Sequence, residues 1–161
     1  MAPPMGGKTT LLQSLARMHK QSDFAVHVEE TKRVVQLDVV LSQLSIRFIT
    51  VQGSFLTEEF FPELLIGARC LVFVVSASAG KQEQQRIFEQ YVSYAVRVGA
   101  HWDNIPWIFV LNKVDLGNQN PLLQHIPTQF HDDIIHCSAT LGIGIEQLWQ
   151  KIITVIPQTP Q

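Results

Sequence analysis

Trp107-Ile108-Phe109-Val110-Leu111 runs directly into Asn112-Lys113-Val114-Asp115. The first five residues are continuously apolar, as in a strand buried on both faces of a sheet. Such a strand delivers Asn112, Lys113 and Asp115 to its carboxyl end, the crevice in which open α/β sheets bind ligands. These residue types suit guanine. A carboxylate at Asp115 can accept from both the N1 and N2 protons of the base. The Asn112 amide can meet N7 and brace the loop, and the Lys113 stem can lie along the ring face. Adenine offers no such pair of donors, and a site built around a buried acceptor discriminates by roughly 10⁴ to 10⁵-fold against a ligand lacking the match. The same residues are also ordinary turn formers, so the reading depends on what else the chain carries.

Two further stretches stand in a matching order. The chain opens with Met1-Ala2-Pro3-Pro4-Met5-Gly6-Gly7-Lys8-Thr9-Thr10, which fits G-x-x-x-x-G-K-[ST] except that Ala2 replaces the first Gly. In such a loop the backbone N–H groups from Met5 to Thr10 wrap phosphate oxygens. Lys8 neutralises the β and γ oxygens, Thr9 offers its hydroxyl to Mg²⁺, and the following helix presents its positive end. Leu11, Leu12, Leu15 and Met18 recur at helical spacing, so the helix reads from Lys8 to about Lys20. Near the other end lies Cys137-Ser138-Ala139-Thr140.

Between these stretches the chain alternates strands and helices. Residues 21–31 read as a polar, mobile loop. Val34 to Leu41 and Ser45 to Val51 read as the two arms of a hairpin. A helix is expected over about Thr57 to Ile66, with Phe60, Leu64 and Leu65 inward and Gly67 as its stop. Leu71 to Val75 reads as a parallel strand at the core of the sheet. A long helix follows from about Lys81 to Val98, closed by Gly99, and a short helical piece is expected near Pro121 to His125. Ile134 to Cys137 reads as the last strand and Ile145 to Ile156 as the last helix, with Leu148, Trp149 and Ile152 inward. Residues 157–161 are expected to be a disordered tail.

At 161 residues the chain suits one domain, residues 1–156, with a full core. Twelve Lys and Arg against fourteen Asp and Glu leave a net charge of −2, which argues against nucleic acid as the main partner. No apolar run approaches the ~20 residues of a membrane span, and the amino terminus has no signal-peptide core; a soluble, cytoplasmic protein is expected. The carboxyl terminus lacks a prenylation Cys. Cys70 and Cys137 fall in or beside apolar strands, where buried free thiols are usual. The six His are scattered, with no ligand-like pairs.

Phosphate loop, polar loop with a Thr, hairpin, x-x-x-Gly turn, Asn-Lys-Val-Asp and Cys-Ser-Ala together resemble the Ras-like small GTPases over essentially the whole chain. The stretch from Pro4 to Thr10 and the Thr50-Val51-Gln52-Gly53 turn look most like the prokaryotic MglA-type branch and related bacterial and archaeal Ras-like proteins. The resemblance implies a P-loop NTPase of α/β class, an open, mostly parallel sheet with helices on both faces. It implies GTP or GDP as ligand, with Mg²⁺ held by Thr9 and by Thr31 in the first switch. Gly53 would donate to the γ-phosphate, Ser138 would brace Asp115, and the Ala139 N–H would meet guanine O6. In the MglA-type branch it also implies a regulatory partner of the Roadblock type on the switch face.

Two departures stand out. Ser54 occupies the place of the family's water-positioning Gln and is too short for that role. GTP hydrolysis is therefore expected to be slow, since positioning and charge stabilisation carry this reaction; a pseudo-GTPase binding module or scaffold with weak or no nucleotide turnover is the competing reading. The strand that should precede the phosphate loop is also missing, because Met1 to Pro4 are too few and contain two prolines that cannot donate to a ladder. In the Ras-like fold that strand lies between the Ile46 and Leu71 strands. Three solutions are open: upstream residues, a strand from another chain, or direct pairing of the two flanking strands with a displaced phosphate loop.

Overall fold

A computed structural model of the chain describes residues 7–20, 25–30, 34–40, 45–51, 65, 67–78, 81–99, 103–117, 126 and 128–156. In chain order the elements are α1 (Lys8–Lys20), β1 (Ala25–Glu30), β2 (Val34–Val40), β3 (Ser45–Val51), β4 (Leu71–Ser76) and α2 (Lys81–Arg97). They continue with β5 (Trp107–Asn112), a 3-10 helix (Thr128–Asp133), β6 (Ile135–His136) and α3 (Ile145–Val155). The class is mixed α/β.

All six residues of β5 are buried, and their alternation sorts the core into two halves. Ile108 and Val110 point to one side, into a cluster with Leu11, Leu15, Leu148 and Ile152 from α1 and α3. Trp107, Phe109 and Leu111 point to the other side, where Phe88 and Ala95 of α2 meet them. Side chains on a strand alternate with period two, so an unbroken apolar run is what a strand covered by helices on both faces requires. Phe109 anchors the second half: its ring centroid lies 6.3 Å from Phe88, 6.5 Å from Phe73 and 5.5 Å from Phe130. Such aromatic pairs add about 0.5–1.5 kcal/mol each beyond their burial.

Among the described residues the strands form two three-stranded sheets rather than one open, mostly parallel sheet. β4, β5 and β6 are parallel, with β5 in the centre; β1, β2 and β3 form an antiparallel meander. The centre of the parallel sheet is thus β5 and not β4, whose residues Leu71 to Val74 are only half-buried. No ladder joins β3 to β4, so the direct pairing of these strands considered above does not occur among the described residues. A cleft of about 620 Å³ lies between them, walled by Leu11, Ile46, Phe48, Val72 and Val74, with Lys8 in its lining. The two sheets are linked through α1, which packs against β1, β2, β3 and α3.

Several elements differ from the sequence reading. Residues 25–30, expected in a polar loop, form β1 in register with β2 from Ala25↔Val40 to Glu30↔Val35. The alternation of Val26 and Val28 with His27 and Glu29 is the period-two signal for it. The 3-10 helix was not anticipated, because its sequence Thr-Gln-Phe-His-Asp-Asp has no apolar period and no buried residue. Gly99 closes α2 with φ of 74°, as a stop signal should, and Gly67 has φ of 75°. The expected helices over residues 57–66 (apart from Leu65) and 121–125, and the tail 157–161, lie outside the described residues. No helix among the described residues is long and apolar enough to cross a membrane.

Candidate functional site

β5 ends at Asn112, whose side chain is 1% exposed. A buried amide must find partners. Its Oδ1 accepts the Ala139 N–H at 3.1 Å. Its Nδ2 faces Gly7, where a Cβ would lie only 2.5 Å from it. Gly7 has φ of 79°, a conformation that favours glycine, and its carbonyl accepts the first α1 bond, from the Leu11 N–H at 2.8 Å. Asn112 therefore stands between the start of α1 and the loop after β6, and ties the two at the carboxyl end of the parallel sheet.

Lys113 follows with φ of 62°, the one positive value at a non-glycine position among the described residues. The left-handed region costs such a residue roughly 1–2 kcal/mol. It is held there by bonds on either side: the Ala77 N–H to the Asn112 carbonyl at 2.8 Å, the Val114 N–H to the Cys137 carbonyl at 3.2 Å, and the Leu116 N–H to the Lys113 carbonyl at 2.9 Å. The turn brings the Lys113 stem against Gly7, with Cε 3.7 Å from a Cβ placed there. Asp115 is exposed.

The loop after β6 is closed by Ser138 and Ile143, which exchange backbone bonds of 3.0 and 3.1 Å. The buried Ser138 hydroxyl accepts the Leu141 N–H at 3.3 Å. It braces its own loop; no bond from it to Asp115 occurs among the described residues. Gly144, with φ of 71°, returns the chain into α3 where a Cβ would lie 2.1 Å from the His136 carbonyl oxygen. The next peptide group is held by α1: the Ala139 carbonyl accepts the Ser14 hydroxyl, and Ser14 Oγ accepts from Arg17 Nη2 at 2.9 Å.

The structure therefore brings together Gly7, Asn112, Lys113 and Ala139, with Ser138 behind them. Thr9 and Thr10 lie in the first turn of α1. Lys8 lines the cleft between β3 and β4, and burial lowers the pKa of its ammonium from the usual lysine value. Met5, Gly6, Thr31, Gly53 and Ser54 lie outside the described residues. Among the described residues no group of three or more His, Cys, Asp or Glu could hold a metal ion. Sequence reasoning missed Ser14 and Arg17. The available signal was a serine on the stripe of Leu11, Leu15 and Met18, since a polar residue on the buried face of a helix needs a partner.

No protein-family model matches the chain, and no match is found among curated proteins.

Proposed function

We propose that the chain is a guanine-nucleotide-binding switch of the Ras-like small-GTPase kind, with slow intrinsic hydrolysis of GTP. The observation that carries this reading is the meeting of Gly7, Asn112, Lys113 and Ala139, which belong to three separate stretches of sequence and share one crevice end. In this reading the N–H groups at the start of α1 and the Lys8 ammonium take the phosphates, because a helix N-terminus and a buried cation both favour an anion. Lys113 and Asp115 take the base, and the exposed Asp115 turns inward to meet its N1 and N2 protons. The P-loop assignment, with Met5 and Gly6 completing the phosphate contacts, is part of the same proposal.

Mg²⁺ suits the donor set. It keeps several waters and needs few protein oxygens besides those of the phosphates, and the hydroxyls of Thr9 and Thr31 would supply them. When bound, the ion neutralises charge on the phosphate oxygens. A regulatory protein of the Roadblock type on residues 53–61 completes the proposal.

The second reading, a pseudo-GTPase binding module or scaffold that holds nucleotide structurally or not at all, is favoured by one observation: the Ala139 N–H already donates to Asn112 Oδ1. A base oxygen must then share that donor.

The test is the nucleotide content of the purified chain after denaturation, followed by a labelled-GDP titration with and without Mg²⁺. Recovered GDP or GTP, and binding that ATP does not displace, supports the switch. Binding without release of phosphate from GTP selects the binding module. An empty chain with no affinity overturns the switch and leaves the scaffold.

A further inference from the structure

Among the described residues β3 and β4 each pair on one side only, β3 with β2 and β4 with β5. Both line one cleft of about 620 Å³. Along β4 the Leu71 N–H donates to the Pro106 carbonyl and the Ala77 N–H to the Asn112 carbonyl. Backbone groups alternate sides along a strand, so the N–H and carbonyl groups of Val72 and Val74 turn into the cleft. Leu71 and Phe73 pack on the core half around Phe109, and Val72 and Val74 on the half around Leu15 and Leu148. All four nevertheless remain half-buried. Both faces of β4 are therefore covered, and what stays open is its edge.

We propose that the cleft receives an extended strand from a second polypeptide chain, an unbroken apolar run laid parallel to β4 with acidic residues at its amino end. Backbone groups in an apolar cleft require hydrogen-bond partners, and an open edge is a template for strand pairing. An added strand supplies donors and acceptors at every second residue, which a hydrocarbon ligand does not. It would lie between the same two core halves as β4, with Leu11, Leu15 and Ile152 on one face and Leu65 and Trp107 on the other. Both of its faces are then apolar, which calls for a continuous Val and Ile run. The sheet it joins is parallel throughout, β4 to β5 and β5 to β6, and purely parallel sheets are favoured over mixed ones. Among the described residues the charged side chains lining the cleft are Lys8, Arg47 and Arg69, with no carboxylate beside them. Arg47 is already paired with Asp38 at 2.8 Å. Lys8 follows Gly7 at the carboxyl end of β5 and takes phosphate in the reading above, whereas Arg69 is exposed just before β4. The acidic residues therefore meet Arg69, and this placement alone rests on the nucleotide reading. Pro3 and Pro4, close before Gly7, cannot donate to a ladder, so the strand is not theirs.

The probe is the peptide acetyl-Glu-Glu-Val-Ile-Val-Ile-Val-Ile-amide, added to the full chain without nucleotide, with binding followed by calorimetry and β4 amide exchange by NMR. The peptide should bind saturably and slow exchange at Val72 and Val74 by about tenfold or more, while Phe73 and Val75, already directed to β5, change little. The same peptide N-methylated at alternate residues should bind about tenfold more weakly or worse. Val74→Pro removes a donor that faces the cleft and no bond to β5, as an edge strand tolerates, and should weaken binding by about three- to tenfold. Lys-Lys in place of Glu-Glu should weaken binding, and Arg69→Glu should reverse that order. An unchanged affinity for the Lys-Lys peptide overturns the acidic end. Equal binding of the N-methylated peptide, or binding of palmitate in place of the peptide with Val72 and Val74 unmoved, overturns strand pairing. Val72 and Val74 already protected in the chain alone, with no peptide bound, overturns the second chain as the source. No binding to an open edge overturns the proposal outright. None of these readouts uses nucleotide, so their failure is distinct from failure of the switch.

Discussion

The Ala139 N–H donates to Asn112 Oδ1 at 3.1 Å, joining the end of β5 to the loop after β6 across 27 positions of sequence. Both residues are buried, so neither group has water as a substitute. Asn112→Ala leaves the Ala139 N–H without its acceptor, and a buried group so stranded costs about 1–3 kcal/mol. A urea titration should show a lower midpoint with an unchanged slope, which marks lost stability rather than a changed unfolded state. An unchanged midpoint would mean that the loop finds another acceptor at no cost.

Gly7 meets Asn112 from the opposite side. Gly7→Ala combines a left-handed φ of 79° with a Cβ only 2.5 Å from Asn112 Nδ2. The backbone part alone costs roughly 1–2 kcal/mol, and the clash adds to it. The two parts separate in a double mutant. Gly7→Ala in the Asn112→Ala background removes the clash and keeps the backbone cost, so the pair should be less destabilised than the sum of the single variants. Residues in contact commonly couple by about 0.5–3 kcal/mol. Strict additivity would show that Asn112 does not pack against Gly7.

These contacts also show where the sequence was informative. β5 was legible because strand burial on both faces writes itself as an unbroken apolar run, Trp107 to Leu111. α1 and α3 were legible from the spacing of Leu11, Leu15 and Met18 and of Leu148, Trp149 and Ile152. The division into two sheets was not, because ladder partners depend on register and long-range approach, and Val72 and Ile46 carry no mark of what lies beside them. β1 was obscured by the polar residues that flank Val26 and Val28. Within the site, Asn112 and Ala139 could be named but not their mutual bond, and Ser14 was hidden inside a helical pattern.

Cys70 and Cys137 are free thiols whose surroundings raise their pKa values from 9.0 to about 12, through burial that disfavours the thiolate. The sign follows from the raised values. The folded state holds these protons more tightly than the unfolded state, so this contribution to stability is fully present below pH 9. It is lost as pH rises from there through about 12. Thermal melts should show Tm falling as pH rises above 9, and the fall should be shallower in Cys137→Ala than in the parent. Native chain at pH 8 should react slowly with a thiol reagent and react fully once unfolded, because the thiolate is the nucleophile. Rapid labelling of both thiols in the native state would contradict the burial of Cys137.

β4 offers a test of the cleft that needs no substitution. The Leu71 N–H donates to the Pro106 carbonyl at 2.9 Å and the Ala77 N–H to the Asn112 carbonyl at 2.8 Å. Backbone groups alternate sides along a strand, so Phe73 and Val75 also direct their N–H groups to β5. Val72 and Val74 direct theirs to the opposite edge, into the cleft that separates β4 from β3. Amide hydrogen exchange should therefore alternate along one strand, with Phe73 and Val75 protected and Val72 and Val74 exchanging much faster. Sheet amides in a paired ladder open only with larger unfolding events, whereas edge amides need none. Uniform protection from Val72 to Val75 would show that the cleft edge is covered in solution and that β4 is paired on both sides.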